Sequence, residues 1–286
     1  MSLVLDEHRE YLEDRARLGA FVRAIGEIVR PGDIVLDLGA GTGILGLLAC
    51  RAGAARVYAV EETSLIGLAR ELARANGLLD RIIHIKGHSA HMTLPEPADL
   101  VVCDQIGRFG FEAGVIEHIE DVRRRGLLKP DGRSIPGAIA MWLAPAECPD
   151  AFAQVEFWTS QPAGFDFTPA RAIAANTGYP RTIHPNELLS APAEAGRVDL
   201  AREEPRPLRL EARCPVARAG TLHGVAGWFV ATLSPRVVMT NSPLAAERIN
   251  RRNVFFPIDR PVDVAPGDEV RVSMQVRPED PVVTWR

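Results

Sequence analysis

The chain has 286 residues, 47% of them hydrophobic, and a formal net charge of −4. That length and apolar content suffice for a sizeable core in one large domain or two smaller ones, and a slight acidic excess gives no basic field for nucleic acid. No uncharged apolar stretch reaches bilayer-spanning length, and the acidic opening MSLVLDEHREYLEDR lacks the basic region and apolar run of a secretory leader. Cys50, Cys103, Cys148 and Cys214 are widely scattered with no C-x-x-C pair. Neither a disulfide framework nor a zinc site is expected, and a cytoplasmic location is.

Residues 8–29 read as one helix, with Tyr11, Leu18, Val22, Ile25 and Val29 on a common face and Pro31-Gly32 ending it. Asp33 to Leu38 reads as a buried strand, Gly39 to Gly43 as a turn, and Ile44 to Ala52 as a helix capped by Gly53. A strand over Arg56–Glu61, a helix over Leu65–Asn76 and strands over Arg81–Lys86 and Ala98–Cys103 follow. Strands alternating with helices at this spacing imply a parallel sheet covered on both faces. Near residue 135 the pattern changes to prolines, turns and short strand-like runs, among them Ala138–Leu143, Trp228–Leu233, Arg236–Thr240, Val254–Pro257 and Glu269–Val276. The expected division is an α/β domain over 1–135 and a β-rich, barrel-like or sandwich domain over 136–286, with an irregular segment at about 150–190.

The most informative motif is VLDLGAGTGI over Val35–Ile44. A glycine-rich turn between strand and helix lets backbone N–H groups approach a ligand, and an acid ending the next strand can accept both ribose hydroxyls. Glu61 is that acid, eighteen residues after Gly43. The same elements serve NAD and S-adenosylmethionine. Gly41-Thr-Gly-Ile-Leu-Gly46 satisfies G-x-G-x-x-G by letter, yet its first glycine lies two residues past the start of the turn, a poor register for a dinucleotide. His84, His88 and His91 span a strand end and a loop without an acidic or cysteine partner in register, so no metal site is expected. Arg123-Arg124-Arg125 reads as a solvated run at a helix C-terminus.

The sequence resembles the protein arginine methyltransferases. HREYLEDRAR is similar to the family's H-x-x-M-L-x-D-x-x-R, which places His8 and Arg17 on its histidine and on the arginine that grips the cofactor carboxylate. VLDLGAGTGIL resembles V-L-D-x-G-x-G-T-G-I-L, with Asp37, Gly39, Gly41 and Gly43 in the D-x-G-x-G-x-G register, and VYAVEETS resembles the segment whose glutamate, here Glu61, holds the ribose. The family's adenine-contacting glutamate falls on Ala90, so that contact is lost or taken over by backbone at Ser89–Ala90. LLKPDGRSIP and FFPIDRPVDVAPGDEVRVSMQVRP resemble the entry to the family's barrel and its last strands. The resemblance implies a Rossmann-like S-adenosylmethionine-binding domain, a β-barrel-like acceptor domain and a homodimer built through an arm at about 150–190, where Gly164-Phe-Asp-Phe167 lies near Trp158.

The acceptor loop departs from the family. Its S-E-W-M-G-Y…Y-E-S clamp is replaced by Cys103-Asp-Gln-Ile-Gly-Arg-Phe-Gly-Phe-Glu-Ala113. Asp104 stands for the first glutamate and Glu112 for the second if the loop is one residue shorter, and both are the expected catalytic residues. Glu112 can equally be an acid in the first turn of the next helix. Gln105 and Arg108 replace aromatic residues as candidate substrate contacts, and Ile249-Asn250 occupy the last two places of a missing T-H-W triplet. The expected function is S-adenosylmethionine-dependent N-methylation of a guanidino or amino group on a small molecule, peptide or protein, with no nucleic-acid or membrane partner. Alternatives are an O- or N-methyltransferase for a small molecule or natural product, and a non-catalytic cofactor-binding partner subunit. Because Arg108 adds a cation between two acids, it is expected to face inward and bind an acidic group on the acceptor.

Overall fold

The computed structural model describes residues 4–202, 207–277 and 282–286. The single helix expected over 8–29 is two: α1 (Val4–Glu13) and α2 (Arg15–Ile28). The break lies at Asp14, which takes an extended ψ of 92° and accepts the Arg17 N–H at 3.0 Å, capping α2. That restart also shifts the buried face of α2 to Arg17, Ala20, Phe21, Ala24 and Ile25, leaving Val22 outside.

The next elements are β1 (Ile34–Leu38), α3 (Ile44–Ala52), β2 (Arg56–Glu61), α4 (Leu65–Ala75), β3 (Ile82–Lys86), β4 (Ala98–Cys103), α5 (Val115–Arg124) and β5 (Leu128–Ile135). The strands form one parallel sheet in the order β3-β2-β1-β4-β5. Val35, Leu36 and Leu38 on the central strand are fully buried, each worth about 1.5–3 kcal/mol of transfer free energy. The arginine run at the end of α5 is not simply solvated. Arg123 Nε donates to the Leu200 carbonyl at 2.9 Å and Arg125 Nη1 to that of Ser89 at 2.9 Å, leaving Arg124 in solvent.

Beyond Ile135 the chain becomes antiparallel. It continues through β6 (Ala138–Ala146), α6 (Pro149–Glu156), α7 (Arg171–Ala175), β7 (Tyr179–Arg181), β8 (Ala193–Asp199), β9 (Leu208–Pro215), β10 (Gly220–Ser234), β11 (Val237–Thr240), β12 (Asn253–Val264), β13 (Glu269–Arg277) and β14 (Val282–Trp285). One sheet runs β7-β12-β10-β6-β8 with β11 added to β10, and β14-β13-β9 forms another. The parallel sheet ends at Ile135 and the antiparallel one begins at Ala138, while the core is continuous across that point. One apolar cluster runs from Phe21, Val102 and Phe109 to Phe229, Met274 and Val276. The helices at 149–175 have a small core of their own, with Trp158 against Phe152, Val155, Ala174 and Ala175. No helix among the described residues is long and apolar enough to cross a membrane.

Candidate active site

In the parallel sheet Leu38 is paired with Val60 on one side and with Cys103 on the other. The residues just past these positions, Gly39, Glu61 and Asp104, therefore emerge together at the carboxyl ends of β1, β2 and β4, where open α/β sheets bind ligands. They face a cavity of about 860 Å³, closed by α1, the start of α2, residues 248–252 between β11 and β12, and Asn253 at the start of β12.

The glycine turn is built from beneath. Asp37 is buried on β1, and its Oδ2 accepts the Gly46 N–H at 2.9 Å. Burial pushes its carboxyl up to about 7 against that hydrogen bond, and the charges of Glu61 and Asp104 act in the same direction as burial. At Gly41 φ is +55°, and a Cβ there would collide with the His8 ring. The turn thus needs glycine both for its left-handed backbone and for the close approach of α1. His8 is half-buried over it, and burial lowers its pKa while Glu61 opposes the shift. Glu61 itself is buried, and its carboxylate accepts the N–H groups of Gly41 at 3.0 Å and Thr63 at 2.8 Å.

Arg17 reaches the same cavity but binds Asp104. Its Nε donates to Asp104 Oδ2 at 2.5 Å, Nη2 contacts the same oxygen, and Nη1 donates to the Tyr11 carbonyl at 3.2 Å. The guanidinium also packs over the Tyr11 and Phe21 rings. A guanidinium carries five N–H donors, so two remain for a ligand carboxylate. Asp104 Oδ1 is buried without a hydrogen-bond partner.

Glu112 is not at the cavity wall; Ala113 is. Gly107, at φ +80°, reverses the loop so tightly that a Cβ would strike Glu112 Oε2. Four successive N–H groups, Arg108 to Phe111, then point at the Glu112 carboxylate at 2.9–3.3 Å. The expected second acid of the clamp is therefore a brace for its own loop, because those amides have the carboxylate as their acceptor. Phe109 anchors the loop by packing on Phe111 and Phe256. Gln105 and Arg108 do line the cavity, with the Gln105 amide against Gly39. Ser89 and Ala90 do not: they form a short turn after Gly87, whose N–H is bonded to the Glu61 carbonyl.

Three residues at the site escaped the sequence reading. Arg251 Nη1 donates to the Gly107 carbonyl at 3.1 Å and its Nη2 lies 3.9 Å from Asp104 Oδ2. Asp14 Oδ2 accepts the Asn250 N–H at 2.7 Å, tying α2 to the second half of the chain. The buried Asn241 donates to the Arg108 and Arg252 carbonyls and accepts from Phe229 N–H. The arginine-rich stretch Arg248–Arg252 was the visible signal for Arg251, and Asp14 showed only as the aspartate of the HREYLEDRAR motif, without its partner Asn250.

Strand ends, a glycine turn and a ribose-height acid are shared by several nucleoside cofactors. What remains of the donor set fits S-adenosylmethionine: a carboxylate for the ribose diol and spare guanidinium donors for an amino-acid carboxylate, with an acid next to them. Residues 20–136 match the ribosomal protein L11 methyltransferase family, and residues 139–283 match the arginine methyltransferase oligomerization subdomain. The chain is an S-adenosylmethionine-dependent methyltransferase of the Rossmann-like class with a β-rich second half. It belongs to the protein arginine methyltransferase family, whose oligomerization subdomain matches half of its length.

Among curated proteins it is 29% identical over 304 residues to protein arginine N-methyltransferase PRMT10 of Oryza sativa subsp. japonica, covering 94% of this chain and 80% of that protein. It is 26% identical to protein arginine N-methyltransferase 6 of Xenopus laevis, covering 96% and 84%. Its fold matches the Trypanosoma brucei PRMT1 enzyme-prozyme heterotetrameric complex with AdoHcy at a TM-score of 0.85 and 21% identity, over 94% of this chain and 86% of that one. These relatives do not favour the natural-product or non-catalytic alternatives.

Proposed function

We propose that the protein methylates a guanidino nitrogen of arginine, and that Asp104 is the residue that holds it. The observation that carries this reading is the unequal use of the Asp104 carboxylate: Oδ2 is fixed by Arg17, while Oδ1 has no hydrogen-bond partner and the residue faces the cavity shared with Glu61. A buried charged acceptor left without a donor is costly unless a ligand supplies one. S-adenosylmethionine, when bound, supplies an electrophilic methyl group on its sulfonium. Glu61 would hold its ribose, Arg17 and His8 its amino-acid end, and the turn at Gly39–Gly43 would cradle it over Asp37. Asp104 then accepts an N–H of the acceptor, turning the methylated nitrogen toward the donor and balancing the acceptor's charge. As the nitrogen takes the methyl group from the sulfonium, leaving a neutral thioether, it gives up one proton, which passes to solvent; positioning and electrostatics supply the rate. Gln105 offers an amide for a second contact.

The test is a labelled-methyl assay with arginine-containing peptides on wild type and Asp104→Asn, followed by mass spectrometry. Expected are methylarginine from wild type and at least a hundredfold loss in the variant. Transfer to oxygen, or full activity in Asp104→Asn, overturns the reading.

Two further readings accompany this one. We propose two functional parts, 1–135 for the donor and 136–286 for the acceptor, and a homodimer made by the arm at about 150–190. The arm's apolar residues divide: Trp158 packs inside its own chain, whereas Phe157, Phe165 and Ile173 are 53%, 69% and 72% exposed. An exposed apolar patch of that kind marks an interaction surface, and the family's oligomerization subdomain covers it. Light scattering at micromolar concentration should give twice 31.2 kDa, and Phe165→Ser with Ile173→Ser should give 31.2 kDa. Wild type at 31.2 kDa alone contradicts the dimer. The four buried, unpaired cysteines support a cytoplasmic location.

A further inference from the structure

The acids of the cavity are largely committed within the protein. Glu61 accepts two backbone N–H groups, Asp14 accepts those of Arg17 and Asn250, and Asp104 Oδ2 is held by Arg17. Among the described residues only Glu10, exposed on α1, lines the cavity without such a bond. The cations are not matched in the same way. Arg108, Arg248, Arg251 and Arg252 all line the cavity, in a chain whose net charge is −4. Among the described residues Arg108, Arg248 and Arg252 form no ion pair, and Arg251 reaches only the 3.9 Å contact with the already paired Asp104. Arg108 is held in place by its backbone, its N–H on Glu112 and its carbonyl on Asn241 at 2.8 Å, so its side chain starts from a fixed point on the cavity wall that Asp104 also lines.

A bare guanidinium entering such a mouth meets Arg108, Arg248, Arg251 and Arg252 against one uncommitted acid, Glu10. An acceptor that brings its own acid meets the reverse, and an arginine fork grips a carboxylate by paired, charge-assisted hydrogen bonds. We infer that the acceptor carries a carboxylate beside the guanidino group, and that Arg108, with Arg248 and Arg252, receives it while Asp104 holds the nitrogen. This rests on the arginine reading above and narrows it. Two sources share the chemistry: an acidic side chain flanking an arginine in a peptide, and the α-carboxylate of free arginine.

Three acceptors are offered with labelled cofactor: an arginine peptide flanked by aspartates, the same peptide flanked by lysines, and free arginine. Wild type is compared with Arg108→Glu/Arg252→Glu, and cofactor affinity is measured by calorimetry to establish that the variant is folded and loaded. The expected result is at least a tenfold higher kcat/KM for one acid-bearing acceptor than for the lysine-flanked peptide, with the preference reversed in the variant at unchanged cofactor affinity. Whether the aspartate peptide or free arginine leads identifies the source. Equal or better methylation of the lysine-flanked peptide by wild type, or an unchanged preference in the variant, overturns the inference while leaving arginine methylation intact. Fluorescence anisotropy of the same peptides with S-adenosylhomocysteine present separates the two readings. Selective binding of the aspartate peptide without methylation removes the arginine reading and supports the anion site. No acid-selective binding and no methylation of either acid-bearing acceptor overturns the anion site.

Discussion

Replacing Arg17 by alanine strips Asp104 of its partner while leaving the carboxylate inside the protein. The two side chains are 7% and 11% exposed, so water screens the pair poorly. Unit charges about 4 Å apart at an effective dielectric of about 20 attract by about 4 kcal/mol. Desolvation offsets much of that attraction when the pair forms, but it is not recovered when a single partner is deleted, and breaking a buried pair costs about 3–5 kcal/mol. The lost packing of the guanidinium over Tyr11 and Phe21, at 5.0 and 5.5 Å from their centroids, adds about 0.5–1 kcal/mol. Arg251, 3.9 Å from the same oxygen, keeps part of the compensation. The expected loss for Arg17→Ala is therefore about 3 kcal/mol. Urea unfolding of Arg17→Ala, Asp104→Asn and the double variant measures it. Asp104→Asn keeps an amide oxygen for Arg17 and should lose about 1 kcal/mol, and the double variant, which carries no orphaned carboxylate, about 2 kcal/mol, giving a coupling energy of about 2 kcal/mol. A coupling below about 0.5 kcal/mol would refute the argument, because the pair would then behave as two independent surface groups.

Glu61→Ala should weaken S-adenosylmethionine binding by about 1.5–3 kcal/mol, the range for hydrogen bonds to a charged group; unchanged affinity by calorimetry in a folded variant removes Glu61 from the ribose site. The Asp37 carboxyl sits at about 7 in the folded chain against an ordinary 3.8. Its folded-state value is raised, so its contribution to stability is full below about pH 4 and lost as pH rises through about 7. The stability of wild type relative to Asp37→Asn should accordingly fall between pH 5 and pH 8 in urea titrations, and a flat difference contradicts a buried ionisation. Glu112→Ala leaves four loop N–H groups without their acceptor and should cost about 1–3 kcal/mol, with a loss of methyl transfer but not of cofactor affinity. Unaltered turnover in that variant means the brace is dispensable.

The parallel half was legible because its central strands are buried on both faces and read as nearly continuous apolar runs, as in IVLDL and ADLVVC. The strand at 208–215 was not. It alternates Leu208, Leu210, Ala212 and Cys214 inward with Arg209, Glu211 and Arg213 outward, and the charged outer face conceals it from any test for apolar runs. The helix break at Asp14 was legible in principle as a cap three residues before Arg17, but helical periodicity carries across a one-residue interruption. In the site, the shared position of Gly39, Glu61 and Asp104 at the sheet's carboxyl end was legible because strand ends fix it locally. The direction of the Glu112 carboxylate was not, because it depends on the backbone of Gly107. Arg251 and Asn241 arrive through antiparallel pairing far along the chain, which nothing in their own neighbourhood announces.

The continuous core has a consequence for biosynthesis. Phe21, Val102 and Phe109 belong to the same apolar cluster as Phe229, Met274 and Val276, so the part of the chain that leaves the ribosome first has no complete partner surface until the end has been made. At about 5–20 residues per second, that interval lasts about ten to thirty seconds. Throughout it Phe109 and Phe111 lack the late strands that complete their cluster, among them the one that sets Phe256 against Phe109.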